Sequence, residues 1–160
     1  MSKVLVAYFS VGGTTAKAAK ELAALECADL FEIKPECPYV PADLDYMNKQ
    51  SRTTLEMADL SCRPATVGKV ENMAQYDVVF VGFPIWWGRE PSIVDTFLDA
   101  YCFVGKKVVP FCTSGGNDTS GAAKRIRELL GDDVCVDDGK RLGGEISEDD
   151  LKLWAEGLSL

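Results

Sequence analysis

Five short segments of the chain are apolar enough to form buried strands. They span residues 4–9, 30–33, 77–82, 107–113 and 134–136. Most of them lack the alternation of apolar and polar residues that marks a half-exposed strand, which is typical of a parallel sheet covered on both faces. Glu32 interrupts the second segment, so we expect that strand nearer a sheet edge. Pro110 cannot donate a ladder hydrogen bond and predicts an irregularity in the fourth strand.

Four of these segments are followed by apolar residues at helical spacing, which predicts amphipathic helices. The predicted faces contain Ala18, Leu22 and Leu25; Ile93, Val94, Phe97, Leu98 and Tyr101; Ala122, Ala123, Ile126, Leu129 and Leu130; and Leu151, Trp154 and Leu158. Because strands and helices alternate, we predict an α/β fold in which residues 1–160 form a single domain. Its parallel sheet would carry helices on both faces, joined by right-handed crossovers.

Residues 34–76 depart from this alternation. Pro35, Pro38 and Pro41 indicate an extended start, and a loose helical spacing predicts a modest helix near residues 43–60. A connection of this length is usually functional or contains secondary structure of its own. The sequence leaves both interpretations open.

Composition narrows the classes of partner. With 47% apolar and 26% charged residues, the chain has the balance of a globular protein with a proper core. Its formal net charge of −8 disfavours nucleic acid and anionic membrane surfaces as main partners, because like charges repel. The same charge would suit a basic patch on a redox partner, although many soluble proteins are simply acidic.

Residue types that commonly carry catalysis or bind metals are scarce. The chain has no histidine, and its six cysteines form no C-x-x-C pair, so we predict neither a metal site nor a catalytic side chain. We expect Cys102, Cys112 and Cys135 to be buried thiols. The first residues run directly into a strand, and no apolar run is long enough to span a membrane. We therefore expect a cytoplasmic protein without membrane insertion.

Three turns after predicted strands carry the candidate chemistry, because open α/β sheets bind ligands at the carboxyl ends of their strands. The first turn combines glycine amides, hydroxyl groups and a following helix N-terminus, which suit a phosphate group. Its candidate residues are Ser10, Gly12, Gly13, Thr14 and Thr15. The same pattern also describes a glycine-rich turn with a threonine helix cap.

The second turn places two adjacent tryptophans after a buried strand. A large flat side chain is costly to leave on a loop without a partner, so we interpret this turn as a platform for a flat aromatic ligand. Core or interface anchors are the alternative. The candidate residues are Pro84, Ile85, Trp86, Trp87 and Gly88.

The third turn offers hydroxyl groups and glycine amides but no side chain of obvious reactivity. Its candidate residues are Thr113, Ser114, Gly115 and Gly116. The alternative is a plain turn in which Asp118 caps the next helix. All three turns would line one site if the predicted sheet forms.

Taken in order, these stretches resemble the flavodoxin family, and more closely its small flavodoxin-like FMN-binding members. The resemblance is carried by Y-F-S-x-x-G-x-T at residues 8–15, by Y-D-V-V-F-V-G-F-P-I-W-W-G at 76–88, and by P-F-C-T-S-G-G at 110–116. It covers nearly the whole chain and implies a three-layer sandwich with a five-stranded parallel sheet in the order 2-1-3-4-5. It also implies one FMN, bound without a covalent link.

The resemblance assigns one part of FMN to each turn. The first turn matches the family's phosphate loop, S-x-T-G-N-T, but Gly12 replaces its first threonine and Thr14 its asparagine. Residues 84–88 match the loop beside the flavin ring, and residues 113–116 match the loop on the ring's other side. The motif leaves open which tryptophan stacks on the ring.

Two functions fit these expectations. The first is an electron carrier that docks with redox partner proteins, favoured by the acidic surface and by the absence of acid–base side chains in the turns. The alternative is an enzyme that takes hydride from NAD(P)H and reduces a quinone or similar small acceptor, with residues 34–76 as a lid or nicotinamide contact. A phosphoacceptor signalling domain would need acidic residues after the first strand, where Ser10 stands instead. A cofactor-free interaction module is the remaining alternative.

Overall fold

The computed structural model describes residues 3–113, 118–142 and 148–158. The strands are β1 (Val4–Tyr8), β2 (Asp29–Glu32), β3 (Lys34–Pro35), β4 (Thr66–Val67), β5 (Val78–Pro84), β6 (Lys107–Thr113), β7 (Cys135–Val136) and β8 (Lys140–Arg141). The helices are α1 (Thr14–Glu26), α2 (Arg52–Ala58), α3 (Ser92–Ala100), α4 (Ser120–Leu130) and α5 (Glu148–Gly157). Two short 3₁₀ helices span Pro41–Leu44 and Met73–Gln75.

The main sheet is parallel and has the strand order β2-β1-β5-β6-β7, with β8 also paired to β6. Counted as the five predicted strands, this is the expected order 2-1-3-4-5. The predicted α/β fold is therefore confirmed. The carboxyl ends of β1, β5 and β6 are adjacent, which places the three candidate turns side by side.

The sheet separates two hydrophobic cores, which makes the molecule a three-layer sandwich. Leu5 and Val79 face α3 and α4 on one side, whereas Val6 and Phe80 face α1 and α5 on the other. Burying one such side chain contributes about 1.5–3 kcal/mol. Because both faces are covered, the central strands have the uninterrupted apolar sequences from which the parallel sheet was predicted.

The irregularity predicted at Pro110 is found on the outer side of β6. Pairing with β5 continues past this residue, where Val81 is opposite Pro110. The carbonyl oxygens of Val108 and Cys112 accept backbone hydrogen bonds from the outermost segment of the sheet. Alternate residues of a strand direct their backbone groups to the same side, so the nitrogen of Pro110, which has no hydrogen to donate, also lies on the outer side of β6. There the outer strand is divided into β7 and β8. The predicted fifth strand at 134–136 is thus only the first of two short pieces.

The helix predicted near residues 43–60 is largely wrong. The structure has the 3₁₀ helix Pro41–Leu44, a turn, and then only seven residues of α2. In the turn, Asp45 and Asn48 each accept a hydrogen bond from the backbone N–H two residues later, which competes with helix formation. Helix α2 begins behind Ser51, whose hydroxyl accepts from the Thr54 N–H at 3.4 Å.

Two further expectations concern solvent exposure and membranes. Cys112 is buried as expected, but Cys102 and Cys135 are exposed, because one follows the end of α3 and the other lies on the outermost strand. None of the described helices combines the length and the apolar character needed to cross a bilayer.

Candidate functional site

Direct contacts join the three turns at the edge of the sheet. The hydroxyl oxygens of Thr15 and Thr113 are 2.7 Å apart in a buried hydrogen bond between the first and third turns. The ring of Phe9, at the end of β1, meets the ring of Trp86 edge to face with centroids 5.6 Å apart. The structure therefore brings together Thr15, Trp86 and Thr113, one described residue from each turn.

The first turn presents backbone donors to solvent. Gly13 has φ 88° and precedes α1, and an added Cβ at Gly12 or Gly13 would meet nothing within 4 Å. Ser10 Oγ accepts from the Gly13 N–H at 3.1 Å, so this hydroxyl holds the turn together. No described side chain caps α1, which excludes the threonine cap within that part of the chain. The first N–H groups of α1 are consequently directed at an open site of positive potential.

The second turn is a two-residue hairpin. Trp86 and Arg89 exchange two backbone hydrogen bonds, of 3.0 and 3.2 Å. Between them Trp87 has φ 51° and Gly88 has φ 78°, the left-handed pair of a type I′ turn. Glycine adopts this conformation freely, but a bulky residue such as tryptophan does so only under strain. Strain of this kind is concentrated at functional positions, so Trp87 is the more unusual of the two tryptophans.

The two tryptophans have different surroundings. Trp86 is partly buried and meets the rings of Phe9 and Tyr39 edge to face, at 5.6 and 5.5 Å. Trp87 is 50% exposed at the tip of the hairpin. Trp86 therefore anchors the hairpin to the sheet, and Trp87 has the more exposed ring of the two.

An open cavity of about 400 Å³ lies beside this hairpin. It is lined by Val11, Leu44, Tyr46, Thr53, Ile85, Trp86 and Trp87. The walls thus come from the first turn, from the hairpin and from the 41–53 part of the long connection. That connection contributes directly to the candidate site, which was one of the two interpretations left open by the sequence.

The third turn is described only at its ends. Thr113 is buried against Thr15, whereas Ser114, Gly115 and Gly116 lie outside the described residues. Beyond them, Asp118 accepts from the Ser120 N–H at 3.0 Å, at the start of α4. The N-cap residue of α4 is Thr119, and no described side chain makes a capping hydrogen bond there, so Asp118 stabilises the turn before the helix and does not cap it as predicted.

A buried ionic cluster, consisting of Arg89, Glu90, Asp95 and Arg125, lies directly behind the hairpin. Arg89 donates to the carbonyl oxygens of Glu90 and Met57, at 3.0 and 3.1 Å. Arg125 binds Glu90 Oε1 at 3.1 Å and Asp95 Oδ2 at 2.6 Å. The cluster ties the hairpin to α2, α3 and α4 at once.

Burial sets the protonation behaviour of this cluster. Glu90 and Asp95 are 0% and 1% exposed. Desolvation, reinforced by the negative charge of Asp95, raises the pKa of Glu90 to about 8. Desolvation also lowers the pKa of Arg89, although the two carboxyl groups act in the opposite direction.

Sequence reasoning missed the ionic cluster. The available signal was Asp95, a charged residue within the apolar face of α3 between Val94 and Phe97. A charge at such a position requires a partner. The partner could not be named, because Arg125 is 30 residues away and meets Asp95 only through the packing of α3 on α4.

The hairpin also has a close backbone contact with α4. The carbonyl oxygen of Gly88 would lie 2.4 Å from a Cβ added to Gly121, far inside van der Waals contact. Any side chain at Gly121 would therefore displace the hairpin or the first turn of α4. Like the ionic cluster, Gly121 is part of the site and was not predicted from the sequence.

Comparison with known proteins assigns the chain to a family. A sequence model described as Flavodoxin matches residues 3–158. The chain belongs to the flavodoxin family. Its strand order, its two-sided sheet and its three turns at one edge are the features that the resemblance implied.

Solved structures agree with this assignment. A protein from Bacteroides eggerthii, provisionally described as a flavoprotein, is 43% identical with a TM-score of 0.94, over 100% of this chain and 99% of that one. A flavoprotein from Lactobacillus acidophilus, solved in complex with FMN, has a TM-score of 0.71 over 97% and 99% of the two chains. Its identity is only 20%, so it supports the flavodoxin fold alone.

The curated relatives match only part of this chain. A protein from Acidovorax ebreus named NAD(P)H dehydrogenase (quinone) is 36% identical over 102 residues, which are 62% of this chain and 46% of that protein. The chain thus spans about half the length of the curated relatives that it matches.

Proposed function

We propose that the protein binds FMN and reduces a quinone or a similar small flat acceptor with electrons from NAD(P)H. The observation that carries this proposal is the cavity of about 400 Å³ beside the tryptophan hairpin. The flavin ring of a carrier or a reductase would use the hairpin side of this cavity, but the cavity continues to Leu44, Tyr46 and Thr53 of the long connection, which gives a small acceptor a place beside the ring. The relatives named as quinone dehydrogenases support the same choice.

The first turn fits the phosphate end of FMN. The open space over Gly12 and Gly13 leaves room for a phosphate, and the uncapped N-terminus of α1 supplies N–H donors. The exposed Thr14 hydroxyl adds a neutral donor. The turn itself contains neither lysine nor arginine, so backbone amides and hydroxyl groups would neutralise the charge.

The hairpin fits the ring end. Trp87 presents half of its surface beside an apolar cavity, and Trp86 fixes the hairpin through Phe9 and Tyr39. Stacking of aromatic rings contributes about 0.5–1.5 kcal/mol beyond the area that it buries. Thr113, at the end of β6, is held in place by its hydrogen bond to Thr15. Ser114, Gly115 and Gly116 stay predicted contacts on the other side of the ring.

The residues around the cavity bind and orient, and the redox chemistry belongs to the bound cofactor. The chemistry that FMN would supply here, when bound, is the transfer of a hydride equivalent from NAD(P)H to the acceptor. Reduction of a quinone also consumes two protons, of which the hydride carries one and solvent supplies the other through the open side of the cavity. Tyr46 is 73% exposed, lines this cavity, and has a hydroxyl group of the kind that can donate a hydrogen bond to a quinone oxygen.

The test uses FMN-loaded protein under anaerobic conditions. We expect NADPH or NADH to bleach the flavin absorbance and added benzoquinone to restore it. Tyr46→Ala should lower kcat/KM for the quinone by about tenfold, the value of one hydrogen bond with its apolar contact, and change FMN affinity by less than about twofold. Leu153→Ala, at an exposed position of α5, is the matched control. A flavin that is not bleached by either nucleotide would contradict the proposal.

The carrier remains the second candidate because of the net charge of −8. In that case the reduced protein would exchange electrons rapidly with a basic redox protein. The rate would fall steeply as salt is added, since screening weakens electrostatic steering. Resistance to NAD(P)H together with such salt dependence would favour the carrier.

A further inference from the structure

Two carboxyl groups of the ionic cluster lie side by side in the interior. Arg125 binds one oxygen of each, with Nε at 3.1 Å from Glu90 Oε1 and Nη2 at 2.6 Å from Asp95 Oδ2. Arg89 Nη1 lies 3.7 Å from the same two oxygens. Because one planar guanidinium group holds both carboxyls, their positions are fixed relative to each other.

The other two oxygens of this pair have no donor among the described residues. Glu90 Oε2 and Asp95 Oδ1 are both fully buried and accept no hydrogen bond within that part of the chain. A buried carboxylate oxygen without a donor costs free energy, and two adjacent carboxylates also repel each other. A single proton between the two oxygens would remove both penalties.

We propose that Glu90 and Asp95 form a proton-binding site, in which the two carboxyl groups share one proton at neutral pH. Glu90 Oε2–H donates to Asp95 Oδ1, and the guanidinium group of Arg125 binds the remaining oxygen of each residue. The arrangement requires no FMN, so it stands or falls independently of the proposed function.

The surrounding cations oppose protonation of the pair, so the shared proton is held by burial and by the mutual repulsion of the two carboxylates. The groups that face the pair are Arg89 from the hairpin, Arg125 from α4, and Arg63, whose Nη1 lies 3.8 Å from Asp95 Oδ2. Arg63 also binds Asp99 of α3 at 2.5 Å, at the surface. Desolvation and the charge of Asp95 raise the pKa of Glu90 to about 8, which keeps it protonated at neutral pH.

The site bears on the hairpin because Glu90 directly follows Arg89, the last residue of the turn. With the proton bound, Arg89, Arg125 and one carboxylate leave the ionic cluster with a net positive charge behind Trp87. Release of the proton makes the cluster neutral and places two negative groups against each other. The occupancy of the proton site therefore sets the net charge of the ionic cluster behind the hairpin.

The shared proton stabilises the fold less as the pH rises, because the pKa of Glu90 is raised in the folded protein. The folded protein binds this proton more tightly than the unfolded chain, whose glutamate has its ordinary pKa near 4.5. The contribution to stability is therefore complete below about pH 4.5 and is lost as the pH rises to about 8. A glutamine at position 90 would imitate the protonated form, with its amide N–H donating to Asp95.

The test follows denaturant unfolding of the FMN-free protein between pH 6 and pH 9, for the wild type, Glu90→Gln and Glu128→Gln. Glu128 is an exposed residue of α4 and serves as the control. We expect the unfolding equilibrium constant of the wild type to rise by about 10- to 100-fold relative to Glu90→Gln over this range. Glu128→Gln should follow the wild type, and identical pH profiles for the wild type and Glu90→Gln would overturn the proposal.

A second measurement needs no variant and therefore holds even if Glu90→Gln fails to fold. Side-chain carboxyl resonances of the wild type, labelled with ¹³C in glutamate and aspartate, are followed by NMR as a function of pH. We expect one glutamate to titrate near pH 8 and one aspartate to sense the same transition. If every carboxyl group titrates below pH 6, no proton is shared at neutral pH and the proposal is wrong.

Discussion

The first turn and the tryptophan hairpin lie at the same edge of the sheet, but they are built in opposite ways. In the first turn the left-handed residue is Gly13, which adopts φ 88° without strain and has open space around it. In the hairpin a left-handed position is occupied by Trp87, at φ 51°. One turn conforms to local backbone preferences, and the other departs from them.

The difference shows what each turn needs from the rest of the protein. Ser10 and the start of α1 are sufficient to shape the first turn. The hairpin depends instead on distant residues: Arg89 bonds to the carbonyl oxygen of Met57, and Arg125 clamps Glu90. A ligand platform of this kind is only as stable as the ionic cluster behind it. The following changes test that contrast.

The largest effect is expected from Asp95→Ala. It removes the buried acceptor of Arg125 and leaves that guanidinium group with one fewer counter-charge, which should cost about 3 kcal/mol of unfolding free energy. Asp138→Ala is the matched control, because Asp138 also binds an arginine but is 91% exposed. It should cost less than about 1 kcal/mol. Equal losses in denaturant unfolding would show that the cluster does not hold the hairpin.

A smaller effect is expected from Gly121→Ala. The added Cβ would lie 2.4 Å from the carbonyl oxygen of Gly88, so the hairpin must shift at a cost of about 1–2 kcal/mol. Gly157→Ala adds the same methyl group to α5 with nothing within 4 Å. That control should be neutral or stabilising by about 0.5 kcal/mol, because alanine favours helix. Urea unfolding of both variants measures the difference.

The bond between the first and third turns should contribute about 1 kcal/mol. Thr15→Val leaves the buried hydroxyl of Thr113 without its partner and should cost more than the double change of both residues to valine. A double-mutant cycle on unfolding free energy isolates the pair. Additive losses would mean that the 2.7 Å contact contributes no coupling between the turns.

The smallest expected change is a gain in stability. Trp87→Asn places a residue that tolerates left-handed φ in the turn and should stabilise the FMN-free protein by about 0.5–1 kcal/mol. The same change should weaken FMN binding, since it removes the exposed ring. Trp86→Asn should destabilise the protein, because Trp86 packs on Phe9 and Tyr39. Thermal unfolding and FMN titration of both variants separate the two roles.

Much of the fold could be predicted because its strands are buried on both sides and its helices carry regular apolar faces. Prediction failed where short polar side chains act locally, as at Asp45 and Asn48, which turn the chain where a helix was expected. It also failed for Cys102 and Cys135, which are exposed because one follows the end of α3 and the other lies on the outermost strand.

The site was predictable as far as it follows strand ends. The positions of the three turns depend only on strand order, so Thr15 and Trp86 could be grouped from the sequence. The roles of Gly121 and Arg125 could not, since both reach the hairpin through the packing of α4. The cytoplasmic location and the single-domain boundaries stay predictions.

The proposed function requires FMN to bind with its phosphate at the N-terminus of α1. The most direct measurement compares the dissociation constants of FMN and riboflavin for the FMN-free protein, followed by quenching of tryptophan fluorescence. We expect FMN to bind one to one and about 100-fold more tightly than riboflavin, because two charge-assisted hydrogen bonds are lost without the phosphate. Equal affinities for the two flavins, or binding of neither, would contradict the account.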